Sequence, residues 1–335
     1  MVAWASNSTP CATIRGMPPT SRRIGAHLPL GGGMVKAADR AGEIGADAIQ
    51  VFSDNPTTWR RRMSPPDELP AFRHRLELLG VAPLAIHASY LVNLAGPDES
   101  FFEKSVGLLA HELRTADLYG ARFVNVHIGS HRGSGPEAGA RHLADAVGQA
   151  FDAAGDEGRT AMLVLENSAG GGFGLGATVD ELVQVLEAVE HRHLPAHRIG
   201  LCLDTAHLWS AGVRLNEPDE LDAFLADVAA RIGTERVVMV HLNDSKSELG
   251  SHTDRHQHVG AGRIGPGGMR SVLVHPLLAH ATYYLETPGM DQGYDAVNIA
   301  RARELIAGRP LDDLPSEALE MRGSRSRGGP RVDGE

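Results

Sequence analysis

Eight short apolar runs punctuate the chain, each four to six residues long and starting about 25 to 45 residues after the last. They are RIGAH (23–27), AIQVF (48–52), PLAIH (83–87), FVNVH (123–127), MLVLE (162–166), IGLCLD (199–204), VVMVH (237–241) and TYYLE (282–286). Near-continuous apolar runs of this length suit strands buried on both faces. Between them the period changes to that of a helix. Phe102, Val106, Leu109 and Leu113 follow steps of three and four, and Gly120 closes the segment. Thr178 with Glu181 is a capping box ahead of Leu182, Val185 and Val189. Pro218 suits a first helical turn before Leu221, Leu225, Val228 and Ile232. Eight strands, each followed by a helix, predict a single-domain α/β fold, a (β/α)8 TIM barrel, over residues 23–309.

The ends lack this pattern. Residues 1–22 are rich in Ser, Thr and Pro, and 310–335 run acidic (DDLPSEALE) and then Arg, Gly and Ser-rich (RGSRSRGGPR). Both read as disordered, the second as at most a weak nucleic-acid contact. No apolar run approaches the length needed to span a bilayer, and the N-terminus has no secretory segment. With only Cys11 and Cys202, a disulfide framework and a thiolate zinc site are excluded, and a reducing cytoplasm is the simplest setting. Cys202, inside a strand, reads as inert core.

A formal charge of −10 argues against bulk attraction to nucleic acid. Bound cations weaken that inference, because three divalent ions add six positive charges and leave −4. The 17 histidines point the same way. Six of the eight strands end in His, Glu or Asp: His87, His127, Glu166, Asp204, His241 and Glu286. These types make up under a fifth of the chain. In a barrel such positions converge on the C-terminal mouth, where active sites of this fold lie. Crowded there, they are costly unless a cation holds them. Nitrogen and oxygen ligands without thiolate suit zinc, manganese or iron(II). DTAH adds His207, three residues after Asp204, and the loop TDRHQHVGAGRIG adds Asp254 and His256, two apart as on one face of an extended segment. Nine candidates suit two or three ions with room for water or substrate.

The strings HASYLVNL, NVHIGSH, VLENSAG, CLDTAH, MVHLNDSKSELGSHTDRHQHVGAGRIG and LET resemble, in order and spacing, the endonuclease IV family of apurinic/apyrimidinic endonucleases. The resemblance runs from about Ile24 to about Gly308. It implies a monomeric trinuclear zinc enzyme of base-excision repair, with manganese an alternative at one or more sites. Its partner would be double-stranded DNA containing abasic sites. Cleavage 5′ of the abasic site would leave a 3′-hydroxyl and a 5′-deoxyribose phosphate. One zinc would take His87, His127 and Glu166; a second, Glu166, Asp204, His241 and Glu286; the third, His207, Asp254 and His256. Glu166 and Glu286 would be the catalytic carboxylates, beside the attacking hydroxide. Tyr90 and Leu91 match positions that wedge into the duplex. The loop of residues 53–62 matches a second inserted loop through Asn55 and Trp59. Thr57 stands where a relative has an inserting arginine, with Arg60, Arg61 and Arg62 as candidate replacements, and Arg255 would face phosphate. Ala261 replaces an acid seen in some relatives.

Other polar residues carry less. His27 ends the first strand and reads as structural support. The remaining histidines read as surface or loop residues, with His131 and His258 candidates for supporting the site. GGGFGLG (170–176) lacks the P-loop lysine and reads as a mobile loop at the mouth. Two alternatives stay open: a metal-dependent sugar isomerase or epimerase of the same barrel superfamily, and a non-catalytic binder of damaged DNA.

Overall fold

In a computed structural model, which describes residues 22–158 and 160–321, the eight runs close into a parallel barrel. In chain order its strands are β1 (Arg23–His27), β2 (Ala48–Val51), β3 (Leu84–His87), β4 (Phe123–His127), β5 (Met162–Glu166), β6 (Ile199–Asp204) and β7 (Val237–His241), with β10 (Thr282–Leu285) completing the ring between β7 and β1. The short β8 (Asp244–Ser245) and β9 (His256–Gln257) form a separate antiparallel pair above β7. Around the barrel run α1 (Met34–Glu43), α2 (Leu69–Leu79), α3 (Glu99–Tyr119), α4 (Pro136–Ala154) and α5 (Val179–His191). The circuit continues with α6 (Thr205–Ala211), α7 (Pro218–Arg231), α8 (Gly265–Val274), α9 (Tyr294–Ile306) and α10 (Ser316–Glu320). No helix among the described residues is long and apolar enough to cross a membrane.

The helix boundaries follow from local chemistry. The Asp98 carboxylate accepts from the Phe101 N–H to start α3, and Gly120 ends it at φ 68°. Thr178 caps α5 by accepting from the Glu181 N–H. The return half of that box is displaced: the Glu181 carboxylate accepts from Gly176 and Ala177 instead. It thereby ties down the end of the glycine-rich 170–176 loop.

Side chains alternate inward and outward along each strand. Outward residues such as Ile49, Ile86, Val124, Leu163 and Leu203 pack against the helices in the main core. Inward residues Ala48, Ala85, Phe123, Val164, Cys202, Met239 and Tyr284 form a second buried cluster that plugs the lower barrel. The plug leaves no space at β1. A Cβ at Gly25 would lie 2.1 Å from the Ala48 carbonyl oxygen, so only glycine lets β1 and β2 approach there.

Two expectations about the ends need correction. Arg22 is buried and donates from Nη2 to the His275 carbonyl, so the packed chain begins one residue before β1. Residues 310–321 are an ordered strap. Leu311 packs against the core, Ala318 is fully buried, and side chains of the barrel donate to strap carbonyls. Burial of these two apolar residues outweighs the acidic composition on which the expectation of disorder rested. Residues 1–21 and 322–335 lie outside the described residues.

Gly25→Ala is expected to lower the unfolding free energy by at least roughly 2–3 kcal/mol, the cost of forcing backbone apart in a packed core. An unchanged urea midpoint would show that β1 can yield and that the closure argument is wrong.

Candidate metal centre at the barrel mouth

Two residues beyond the plug, on the same inward face, the strands change character. Ala48 is followed by Gln50, Ala85 by His87, Phe123 by Asn125 and then His127, Val164 by Glu166, Cys202 by Asp204, Met239 by His241, and Tyr284 by Glu286. The pleat therefore stacks a polar ring on an apolar floor. Loops complete the ring. The Asp204 Oδ1 caps α6 by accepting from the His207 N–H at 2.9 Å, which brings His207 over the mouth. The β8–β9 pair returns Asp254 and His256 to the same place.

The nine predicted ligands meet there. His87 Nε2 and His127 Nε2 lie 3.5 and 3.9 Å from Glu166 Oε2. His241 Nδ1 is 3.3 Å from both Glu166 Oε1 and Glu286 Oε2, and 3.8 Å from Asp204 Oδ2. His207 Nε2 is 3.4 Å from Asp254 Oδ2, and His256 Nε2 is 3.0 Å from Asp254 Oδ1 and 3.6 Å from Asp204 Oδ2. Three overlapping groups can each hold a cation with ligand atoms within 4.8 Å of one another. They are His87, His127 and Glu166; Glu166, Asp204 and His241; and Asp204, His207 and His256. Asp204 thus belongs to two groups, as Glu166 does, a sharing the sequence reading assigned to Glu166 alone.

Four imidazoles are preset for cations. His87 and His207 donate through Nδ1 to the carbonyls of Ala88 and Asn167, and His256 donates through Nδ1 to that of Glu286. His241 is reversed, its Nε2 lying 3.1 Å from Gln50 Oε1. In each ring the hydrogen bond fixes the tautomer and turns the other nitrogen into the cluster, as for histidines that ligate metals. Two of those inward nitrogens, His241 Nδ1 and His256 Nε2, are buried without a hydrogen-bond partner. With carboxylate oxygens 3.0 to 3.3 Å away, each needs a proton or a cation between it and those oxygens, and a divalent cation meets that need at both. The residues present therefore fit a bound metal, and a mixed His and carboxylate set without thiolate fits zinc or manganese.

Electrostatics agree. Burial pushes the Glu166 carboxyl up, but His127 and His241 overcome it and hold the group well below the carboxylate range. Glu286 and Asp254 are lowered likewise, against burial, by His241 and His27 in one case and His256 and His207 in the other. Burial opposes protonation of His256, yet Asp254 and Asp204 bring it to about 10. His207 is raised for the same reason by Asp204 and Asp254. This is a site of anionic carboxylates that attracts positive charge, whether protons or metal ions.

A family profile described as a xylose isomerase-like TIM barrel matches residues 38–309. A probable endonuclease 4 of Methanoculleus marisnigri is 39% identical over 282 residues, covering 84% of this chain and 98% of that protein. Another, from Chloroflexus aggregans, is 37% identical over 285 residues, 85% and 98% of the two chains. The crystal structure of endonuclease IV from Thermus thermophilus superposes with a TM-score of 0.74 at 36% identity, over 85% of this chain and 99% of that one. The chain belongs to the endonuclease IV family. A D-tagatose 3-epimerase-like protein shares the fold at a TM-score of 0.61 and 15% identity.

The loops that carry Tyr90 and Asn55 lie beside the ring, with the Tyr90 ring centroid 5.9 Å from that of His87. Tyr90 is 40% exposed, edge-on to Phe52 with ring centroids 5.1 Å apart, and Leu91 beside it is half-buried. Ser89 Oγ donates to the Pro56 carbonyl at 2.5 Å, which joins this loop to that of residues 53–62. Asn55 is exposed, and its Oδ1 accepts from the N–H and hydroxyl of Thr57. Trp59 is turned half inward against Phe101, with the Lys104 ammonium over its ring. The three arginines have different fates. Arg61 is turned inward beside Glu112, its side chain 10% exposed, Arg62 pairs with Asp54 at 2.8 Å, and the exposed Arg60 guanidinium has no carboxylate partner among the described residues. Arg255 is exposed.

Several supporting residues escaped the sequence reading. The Gln50 Nε2 donates to Glu286 Oε1 at 2.7 Å, Asn125 Nδ2 to Glu166 Oε2 at 2.6 Å, and Asn243 Nδ2 to Asp204 Oδ2 at 2.7 Å. Asn167 Oδ1 accepts from the Asp204 N–H. Their signal was present: Gln50 and Asn125 are amides inside otherwise apolar strand runs. His27 does support the site, 3.3 Å from Glu286 Oε1. His258, read as a surface or loop residue, is instead fully buried between Asn298 and the Ala318 carbonyl, far along the chain in both cases.

A histidine whose folded pKa is raised stabilises the fold fully below its unfolded value and loses that contribution as pH rises through the folded value. For His256 the window runs from 6.5 to about 10. Chelator-stripped protein should therefore lose thermal stability between pH 6.5 and 10, whereas protein saturated with zinc should not. A flat pH profile in the stripped protein, measured by thermal melts, would contradict this electrostatic account.

Proposed function

We propose that the protein is a trinuclear zinc endonuclease of DNA base-excision repair, hydrolysing the phosphodiester 5′ of an abasic site. The observation that carries this reading is the unbroken chain of three ligand groups, linked through Glu166 and Asp204. His87, His127 and Glu166 hold the first ion; Glu166, Asp204, His241 and Glu286 the second; His207, Asp254 and His256 the third, with Asp204 Oδ2, 3.6 Å from His256 Nε2, between the second and third. Zinc is the assigned metal, and manganese is an alternative at one or more positions. When bound, the ions supply Lewis-acid stabilisation of charge on the phosphate and make water more acidic.

The residues divide the remaining work. Glu166 is 1% exposed and pinned by Asn125, so it serves to hold the centre together. Glu286 is 18% exposed. Gln50 and His27 restrain its Oε1, and Oε2 is the oxygen that orients the attacking water and takes its proton. Attack on phosphorus breaks the bond to the 3′ oxygen, leaving a 3′-hydroxyl and a 5′-deoxyribose phosphate. Tyr90 and Leu91 enter the duplex beside the abasic nucleotide, and Asn55, Trp59 and Arg60 flank them from the neighbouring loop. Arg255 faces phosphate. The reading includes a monomer acting in the cytoplasm, at the nucleoid during repair.

A sugar isomerase is disfavoured because it needs fewer ligands and a base aimed at carbon, and a non-catalytic binder would have no need of nine converging ligands. The test is incubation with a duplex carrying one tetrahydrofuran abasic analogue, which a β-elimination lyase cannot cut. Incision 5′ of the analogue with zinc or manganese supplied is expected; no incision would falsify the assignment. Glu286→Gln should slow cleavage on the order of 10²–10⁴-fold while sparing much of the DNA binding. Full activity in that variant would remove Glu286 from the mechanism. Tyr90→Ala should instead weaken binding to abasic duplex, with little change for undamaged duplex, by gel-shift titration.

A further inference from the structure

The loop that brings Asp254 and His256 to the mouth is held from outside by the C-terminal strap. From residue 257 to 260, every position of this loop meets the strap or a side chain that also holds it. The Gln257 Nε2 donates to the Leu319 carbonyl at 3.2 Å, and His258 Nε2 lies 3.1 Å from the Ala318 carbonyl. Arg301 bridges the two segments, donating from Nε to the Val259 carbonyl and from Nη1 to that of Asp312, each at 2.6 Å. At Gly260, where φ is +72°, an added Cβ would lie 2.5 Å from a Leu311 methyl, so that side chain rests directly on the turn. Lys246, just beyond β8, donates from Nζ to the Met321 carbonyl.

The strap starts where the family match stops, at residue 309. On the side of the barrel, His256 Nδ1 donates to the Glu286 carbonyl, and the Asn298 side chain accepts from the Val259 N–H and meets His258 Nδ1. The Asp244 carboxylate gathers the N–H groups of Ser245, Gly262, Ile264 and Gly265, none of them in the stretch that carries the ligands. Asp254 has a side chain 35% exposed, and its contacts are to His207 and His256. Between Asp254 and the Asp244-bound turn, residues 256–260 are steadied by β9 pairing, Glu286 and Asn298 on the barrel side and by the strap on the other.

We propose that residues 310–321 are a positioning element of the metal centre. The strap clamps 257–260 so that Asp254 and His256 stay within reach of His207, and it sets how tightly the third cation is held. This rests on the trinuclear reading above. Leu311, Ala318, Gln257 and Arg301 act through the loop and belong to none of the three ligand groups.

The test uses the full chain with Leu311→Ala, with Leu311→Ile as the conservative rescue, and with Ala318→Arg, which places a long cation at a fully buried position to pry the strap away. Zinc content is measured by elemental analysis, and release to a chromogenic chelator is followed in time. Cobalt-loaded samples report ligand geometry through their visible absorption. In Leu311→Ala one of three ions should leave at least ten-fold faster, the other two at the parent rate, with one component of the cobalt spectrum altered. Leu311→Ile should return both to the parent values. If Ala318→Arg fails to fold, the Leu311 pair still decides. Three ions in the parent with unchanged release in Leu311→Ala overturns the strap's role alone. Two ions in the parent overturns the trinuclear reading and the strap's role together.

Discussion

Inside a closed parallel barrel, every second side chain must share one narrow axis, and that constraint governs this molecule. The lower part of the axis is filled by Ala48, Ala85, Phe123, Val164, Cys202, Met239 and Tyr284. One pleat further the same columns reach open space, and there the chain places histidines, carboxylates and amides. A polar ring on an apolar floor has no water beneath it. Its charges must be met by one another or by cations, because unpaired burial is costly. The interleaving of four carboxylates with five imidazoles partly meets that demand, and the inward nitrogens of His241 and His256 show what it leaves unmet.

The amides make the ring rigid. Gln50 reaches Glu286 with its nitrogen and His241 with its oxygen, so one side chain fixes the orientation of two ligands from the neighbouring strands β10 and β7. Asn243 does the same for Asp204 and Glu286, donating to one and accepting from the backbone of the other. Preset rings and carboxylates of this kind hold a cation without first having to be ordered. Asp204 illustrates the economy of such a site: one oxygen caps α6, and the other is shared between two ligand groups.

At the rim, charge is distributed by packing rather than by composition. A chain with a formal charge of −10 is a poor partner for a polyanion unless its cations are presented selectively. Three consecutive arginines show how. Arg61 goes inward to Glu112, whose carboxyl burial raises to about 7, although the Ser53 hydroxyl and Arg61 both oppose the rise. Arg62 closes onto Asp54, and Arg60 faces solvent. The first two are tied to carboxylates, and among the described residues only the third has none. The strap makes a similar point on the other side of the mouth, where backbone carbonyls of residues 310–321, two of them met by Arg301 and Lys246, hold a ligand-bearing loop.

The strand runs were legible in the sequence because a strand buried on both faces must be apolar along its length. The change to His, Asp or Glu at the last inward position was legible for the same reason, since nothing in the apolar rule accounts for it. The capping signals at Thr178 and Gly120 were legible because they are local. Gln50 and Asn125 left a trace, as amides in apolar runs, but the carboxylates they meet lie on other strands. The double sharing of Asp204, the fates of Arg60, Arg61 and Arg62, the burial of His258 and the order of residues 310–321 left none. Each depends on partners brought together only when the barrel closes, 60 residues apart for His258 and Ala318. Sequence alone determined which residues end the strands, because backbone periodicity and burial act locally. Tertiary structure decided which of them share an ion site and what holds the loops, because those distances exist only in the closed fold.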